Sequence, residues 1–347
     1  MRENIKDEVV TNSPALPGNV DNAWTIIQLK MKLLLTALFP LILACMLFSC
    51  RQPDSPLRII HAGSLTVPVK EAADSFMKRN PSIRVLTEAW GSKAGARRVS
   101  DLDVPCDIFV SADYKVIDHF LIPSHASWNI PFAGNELSVV YTPRSRYADE
   151  INACNWHEIL LRDDVVYGRS DPDSDPCGVR TVLVTQLAEI LYDYPGLSER
   201  LLSRHRNMIR PKETDLLALL EMNALDYIFL YRSVARQHRL EYVRLPDSLN
   251  LRDSALNDWY SQARTQTRGT LPGETISETG EAVVYGITIP HKSENPALAV
   301  RFVQFFLSEA GQAIMERNGQ HSLVPTVSET RGMIPPELRE FTLSPGR

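Results

Sequence analysis

With 347 residues, 44% of them hydrophobic and 23% charged, the chain has the composition of a globular protein and enough length for two domains of ordinary size. A formal net charge of −5, with no run of like charges, excludes a nucleic-acid partner, which needs a basic face, and a charge-driven membrane patch. Five cysteines without C-x-x-C spacing exclude a zinc site and a disulfide framework.

At the N-terminus, Met31-Lys32 is followed by a 16-residue stretch, Leu33 to Phe48, that is apolar but for Thr36, and then by Ser49-Cys50. A positive start, an apolar core and a small residue before the break are the parts of an export signal. The run is short of the roughly 20 residues that a membrane span needs. Residues 1–30 are polar and read as a leader upstream of a true start at Met31, with residues 31–49 as the signal. "LFSC" at 47–50 resembles a bacterial lipobox, which implies cleavage before Cys50, a lipid on its sulfur and an exported, membrane-anchored protein facing the periplasm. Cys106, Cys154 and Cys177 remain in the body, where an oxidising compartment would permit one bridge.

Leu57–Ile60 is a short apolar strand that turns at Gly63. Val69, Ala72, Ala73, Phe76 and Met77 then recur at helical spacing until Asn80-Pro81. A second strand at 83–90 leads through Gly91-Ser92 into a helix carrying Ala96 and Val99, and a third strand lies at 106–114. Strands alternating with helices predict a parallel sheet whose ligands sit beyond the carboxyl ends of the strands, where Gly63-Ser64 and Gly91-Ser92 fall.

"ELSVVYTP" at 136–143 and "AVVYGITIP" at 282–290 are predicted to pair as antiparallel strands and to carry the chain between two lobes. Between them come a helix with Trp156, a strand near Val165–Gly168, a long helix from Pro176 to about Tyr192, a Leu-rich helix at 214–222 and the strand "DYIFLY" at 226–231. A single amphipathic helix is predicted from Pro296 to Asn318, with Ala299, Phe302, Val303, Phe306 and Leu307 on the face that packs on the first lobe. The predicted organisation is α/β: lobe 1 over 57–135, completed by 293–347, and lobe 2 over 136–292, with a cleft between.

Three segments put a small polar residue where a helix begins: "HAGSL" at 61–65, "AWGSKAG" at 89–95 and "SDPCG" at 174–178. Helix starts carry unpaired N–H groups and partial positive charge, so several aimed at one point form an anion site. Ser64, Ser92 and Asp175 each stand at a predicted N-cap, and Pro176 suits the first helical position. The plain alternative is that each residue merely caps its own helix, which for Asp175 is worth about 1 kcal/mol. "SDPDSD" at 170–175 lacks the spacing and closing Glu of a calcium loop. Glu213, in "RPKET", can serve the helix dipole alone, Tyr231 can be a half-buried aromatic, and His61 reads as structural. No nucleotide, esterase or metalloprotease motif appears at a strand–helix junction, so an enzyme is not expected.

From about Leu57 to Pro325 the order "HAGSL", "SADY", "NWHEIL", "DPCG", "RPKE", "YGITIP", "NGQHSLVP" resembles the molybdate/tungstate-binding receptors of ABC importers, in their tungstate-type branch. The resemblance implies a two-lobed type II periplasmic-binding fold. It implies a ligand site of Ser64, Leu65, Ser92, Asp175, Pro176, Cys177, Glu213 and Tyr231, with Asp175 and Glu213 as direct ligands to Mo or W of the bound oxyanion. It also implies an ABC permease and ATPase as partners, a monomeric receptor, and no cofactor besides the captured anion. Lys93, inside "AWGSKAG", departs from the pattern by adding a charge beside Ser92. Two ionised carboxylates would repel a dianion unless they are protonated and donate hydrogen bonds or bind its metal centre, which Mo(VI) and W(VI) accept and the sulfur of sulfate does not. A ferric-iron receptor, with Asp, Glu and Tyr as hard oxygen ligands, and a receptor for sulfate or another small oxyanion stay open on the residues alone.

Overall fold

In the computed structural model, which describes Trp24, residues 27–32 and residues 55–346, the strands of the main body follow the predicted alternation with helices. The chain separates into units 1–54 and 55–347. Of the first, Trp24 and residues 27–32 are helical; the signal core and Cys50 lie outside the described residues. Among the described residues no helix is long and apolar enough to cross a membrane.

In chain order the second unit has β1 (Leu57–Ala62), β2 (Val85–Trp90), β3 (Ile108–Ser111) and β4 (Ile130–Gly134). Then come β5 (Leu137–Tyr141), β6 (Tyr167–Ser170), β7 (Ile209–Arg210), β8 (Tyr227–Tyr231) and β9 (Glu241–Arg244). A hairpin of β10 (Arg264–Arg268) and β11 (Thr275–Thr279) precedes β12 (Val284–Thr288) and β13 (His321–Ser322). The two large sheets have the orders β13-β4-β12-β3-β1-β2 and β7-β6-β8-β5-β9. Each sheet is the centre of one lobe. Strand β1 pairs in parallel with β2 and β3, and its apolar residues are buried on both faces, as a covered parallel sheet requires.

The helix Thr66–Arg79 buries Val69, Ala72, Ala73 and Phe76, as their spacing predicts, and ends at Asn80. Chain crossings run through Asn135-Glu136, between β4 and β5, and through residues 280–283.

Three expectations are corrected. The strand at 282–290 does not pair with 136–143. Strand β12 lies antiparallel between β3 and β4, so it belongs to the first lobe although its sequence falls within 136–292. Strand β5 instead has β8 and β9 on its two edges. Tyr285 through Thr288 are all buried, as in an interior strand of a sheet covered on both faces.

The closing helix is two helices, Pro296–Leu307 and Glu309–Arg317, broken where Ser308 is extended. The second leg lies so close to the first that a Cβ on Gly311 would be 2.1 Å from the Phe306 carbonyl oxygen. Phe302 and Phe306 still pack as predicted, with ring centroids 5.2 Å from Phe76 and 5.4 Å from Phe132. Each such burial contributes about 1.5–3 kcal/mol.

Lastly, Cys106, Cys154 and Cys177 are all free, the first and third buried, so no bridge forms among them.

Candidate functional site

Asp175 behaves as its sequence predicts. It caps the helix Pro176–Leu191, its Oδ1 accepting the Cys177 N–H at 3.3 Å, with Pro176 in the first turn. Its Oδ2 also accepts the N–H of Glu213 at 3.0 Å, which ties the start of that helix to the 3₁₀ turn Glu213–Leu216. Glu213 is 1% exposed, and neither of its carboxyl oxygens has a hydrogen bond. The hydroxyls of Ser170 and Tyr231 are likewise buried without a partner. Leu65 and Cys177 are fully buried, and the Cys177 Sγ lies 3.8 Å from the Phe229 carbonyl oxygen.

The two serines are buried, but neither is the N-cap that the sequence predicts. Ser64 sits inside a 3₁₀ turn, Gly63–Leu65, and shares a 2.9 Å hydrogen bond with the Tyr285 hydroxyl. Ser92 is the first residue of its helix, behind Gly91, and its Oγ accepts the Ala112 N–H at 3.0 Å. In both places another segment supplies the partner, Tyr285 on β12 for Ser64 and the residue just past β3 for Ser92, so the hydroxyl turns to it and not to its own helix.

Glycine is needed where the chain turns out of β1 and β2. A Cβ on Gly63 would stand 3.0 and 3.1 Å from the carboxyl oxygens of Glu213. One on Gly91 would stand 2.6 Å from the Ser174 carbonyl oxygen and 2.8 Å from that of Pro211. Both turns of the first lobe therefore lie directly on the loops of the second that carry Asp175 and Glu213. The Ala94 N–H seals this approach by donating to the Ser174 carbonyl at 3.1 Å.

Burial is the main cause that lifts the Glu213 carboxyl well above its usual range, and the adjacent Asp175 adds to it. Asp175 is also raised by burial, against the backbone amides of Cys177 and Glu213 that donate to it. Two carboxyls in one dry space favour a shared proton. Burial pushes up the phenol of Tyr231 too, opposed by the charge of Arg180. His61 is held at about 4 by burial, and its Nδ1 pairs with its own neighbour's Ala62 carbonyl at 2.8 Å, which fits a neutral structural role.

Some neighbours were not singled out in the sequence. Tyr285, within "YGITIP", receives a 2.7 Å hydrogen bond from Asn135 Nδ2, which also donates to Ser233 Oγ at 2.8 Å. Gln320 Nε2 donates to the Ser64 carbonyl at 3.1 Å. This network ties the first crossing to both lobes behind the acids. Arg180, a lone charge on an otherwise apolar helix stretch, was the available signal for the buried ion pair it makes with Asp113 at 3.0 Å.

The whole arrangement is a buried interlobe cluster of backbone amides, hydroxyls and two acids. Residues 57–320 match the family described as bacterial extracellular solute-binding protein. The chain is 45% identical over 284 residues to an uncharacterised solute-binding protein of Petrotoga mobilis, covering 82% of this chain and 88% of that one. It is 37% identical over 358 residues to the molybdate/tungstate-binding protein WtpA of Thermococcus kodakarensis, covering 90% and 99%. Among solved structures, the periplasmic molybdate-binding protein of Azotobacter vinelandii has the same fold at 15% identity, with a TM-score of 0.57 and coverage of 76% and 98%. The sulfate-binding protein SubI of Mycobacterium tuberculosis shares it at 12% identity, with a TM-score of 0.56 and coverage of 77% and 87%. The chain belongs to the bacterial extracellular solute-binding protein family, with its two-lobed α/β fold.

Proposed function

We propose that this protein captures molybdate or tungstate between its lobes and delivers it to the permease and ATPase of an ABC importer, held at the membrane by a lipid on Cys50. The observation that carries the reading is Glu213, a buried carboxyl with both oxygens unbonded, beside the buried carboxyl of Asp175. Dry acids next to a helix start are unfavourable for an ordinary anion and for an empty cleft. They suit an oxyanion whose central atom accepts additional oxygen ligands.

In this reading Asp175 and Glu213 bind the metal centre, with Ser64, Leu65, Ser92, Pro176, Cys177 and Tyr231 around the oxo groups. Sulfur in sulfate cannot expand in that way, so the same acids repel sulfate. The WtpA relative, aligned over 90% of the chain, supports the choice of cargo. Nanomolar affinity needs about −12 kcal/mol. Five to seven hydrogen bonds to a charged ligand, at roughly 1.5–3 kcal/mol each, can supply it.

Calorimetric titration of the purified full chain with molybdate, tungstate, sulfate and ferric ion tests the proposal. Heat with the first two alone is expected. Equal or tighter binding of sulfate, or tight binding of ferric ion, would overturn it.

A further inference from the structure

Lys93 departs from the pattern around Ser92, and the structure gives it a partner from across the cleft. Its ammonium is 2% exposed and donates to Glu278 Oε1 at 2.5 Å and to Thr267 Oγ1 at 2.7 Å. Thr267 in turn donates to the same Glu278 oxygen at 3.1 Å. On the β10–β11 hairpin Glu278 is paired with Thr265 and Thr267 with Ile276, so the two are diagonal neighbours on adjacent strands, each one pair in from an end of the ladder. That hairpin is fastened to the second lobe, where the Arg264 N–H donates to Gln186 Oε1 at 2.9 Å.

Other contacts of the hairpin run to the first lobe. Ile276 packs on the cluster that contains Ala96, Val99 and Phe120. Arg97, one helical turn beyond Lys93, donates to the carbonyls of Arg268 and Gly269 at 3.0 and 3.1 Å, and to that of Asp173 at 2.8 Å. The hairpin is thus a strap from one lobe to the other, and Lys93 is its innermost fastening.

Neighbouring pairs alternate in polarity. The first lobe offers Lys93, Asp113 and Lys115, and these meet Glu278, Arg180 and Glu281 at 2.5, 3.0 and 2.7 Å. Displacing one lobe along the other by one pair would set like charges together, so the pattern admits a single closed register.

We propose that Lys93, Glu278 and Thr267 form a latch that holds the lobes closed over the site and sets how slowly its occupant leaves. Lys93 is a positioning residue in this scheme: it fastens the helix start at Ser92 to the second lobe and does not touch the ligand. On opening, each charge returns to water. Closing without the partner strands a dry ammonium, which is far worse than replacing both charges with apolar groups. That asymmetry distinguishes a latch from packing. Only the release measurement below rests on the oxyanion reading.

The test uses the full chain and the variants Glu278→Gln, Thr267→Val and the double variant Lys93→Met with Glu278→Leu. Hydrogen exchange of the Ala94 amide, which bonds across the cleft, reports closure with and without sodium molybdate. Stopped-flow tryptophan fluorescence reports molybdate association and release. Glu278→Gln is expected to speed Ala94 exchange at least about tenfold and molybdate release about 10- to 100-fold, with association changed less than about threefold. The double variant should return exchange and release towards wild type.

Unchanged exchange and release in Glu278→Gln would overturn the latch, as would a wild-type Ala94 amide that is unprotected both with and without molybdate. If Glu278→Gln does not fold, Thr267→Val keeps the ion pair and should speed exchange several-fold; no change there overturns the proposal equally. A wild type that ignores molybdate would remove the cargo reading, while exchange in the ligand-free protein still decides the latch.

Discussion

Asp175 and Glu213 are in contact, both dry and both raised as acids by burial, and the charge of Asp175 further raises Glu213. An acid with a raised folded pKa keeps a proton that the unfolded chain has released. Its contribution to stability is therefore present below the unfolded pKa near 4 and is lost as pH rises through the folded value. Replacing Glu213 with Gln removes this dependence. The ligand-free Glu213→Gln protein should melt about 2–3 °C above wild type at pH 8, and the gap should close as pH falls towards 5, read by calorimetric scans. The same substitution, with Asp175→Asn, should reduce the preference for molybdate over sulfate by at least about tenfold in competition titrations. Unchanged discrimination would place the filter elsewhere. Asp175 was legible because an N-cap before proline is a local pattern. The partners of Ser64 and Ser92 were not legible, since a hydroxyl that turns to Tyr285 or to the Ala112 amide looks the same in sequence as one that turns to its own helix.

Among the elements, the turns after β1 and β2 matter most to the cleft. Gly91 meets two carbonyl oxygens of the opposite lobe at distances no Cβ can occupy, whereas nothing lies within 4 Å of a Cβ on Gly332. Gly91→Ala must hold the lobes apart, at a cost of about 1–3 kcal/mol, so molybdate affinity should fall about 10- to 100-fold while the melting temperature stays close to wild type. Gly332→Ala should change neither. The apolar run of β1 and the spacing of Val69 to Phe76 foretold their elements because their signal is contained within one turn or strand. The break at Ser308 was hidden because apolar residues keep helical spacing across it, with Phe302 and Phe306 before and Ile314 and Met315 after. Only the closeness of Gly311 to Phe306 marks the corner, and closeness is a property of the folded chain.

On the scale of the molecule, strand alternation foretold two α/β lobes, but the two strands read as paired crossings lie one in each lobe, β5 beside β8 and β9 and β12 between β3 and β4. The partners of β12 were not legible. A pairing between strands about 150 residues apart leaves no mark on either one, and two apolar strands satisfy the same pattern whichever neighbour they take. Strand β12 fills the gap between β4 and β3, while β5 to β9 find all their neighbours within residues 137–244. A chain cut after Glu281 should keep amide protection in β5 to β9 and lose it in β1 to β4, read by hydrogen exchange with mass spectrometry.

The position of β12 also fixes an order of assembly. When the chain emerges N-terminus first, the sequence that begins the first lobe must wait for the strand that completes its interior, and the half begun later can finish earlier. Gly63 and Gly91 lie at the ends of strands in that waiting sheet. A nascent receptor therefore cannot seize cargo early: its grip comes into being only when nearly all of the polypeptide is in hand.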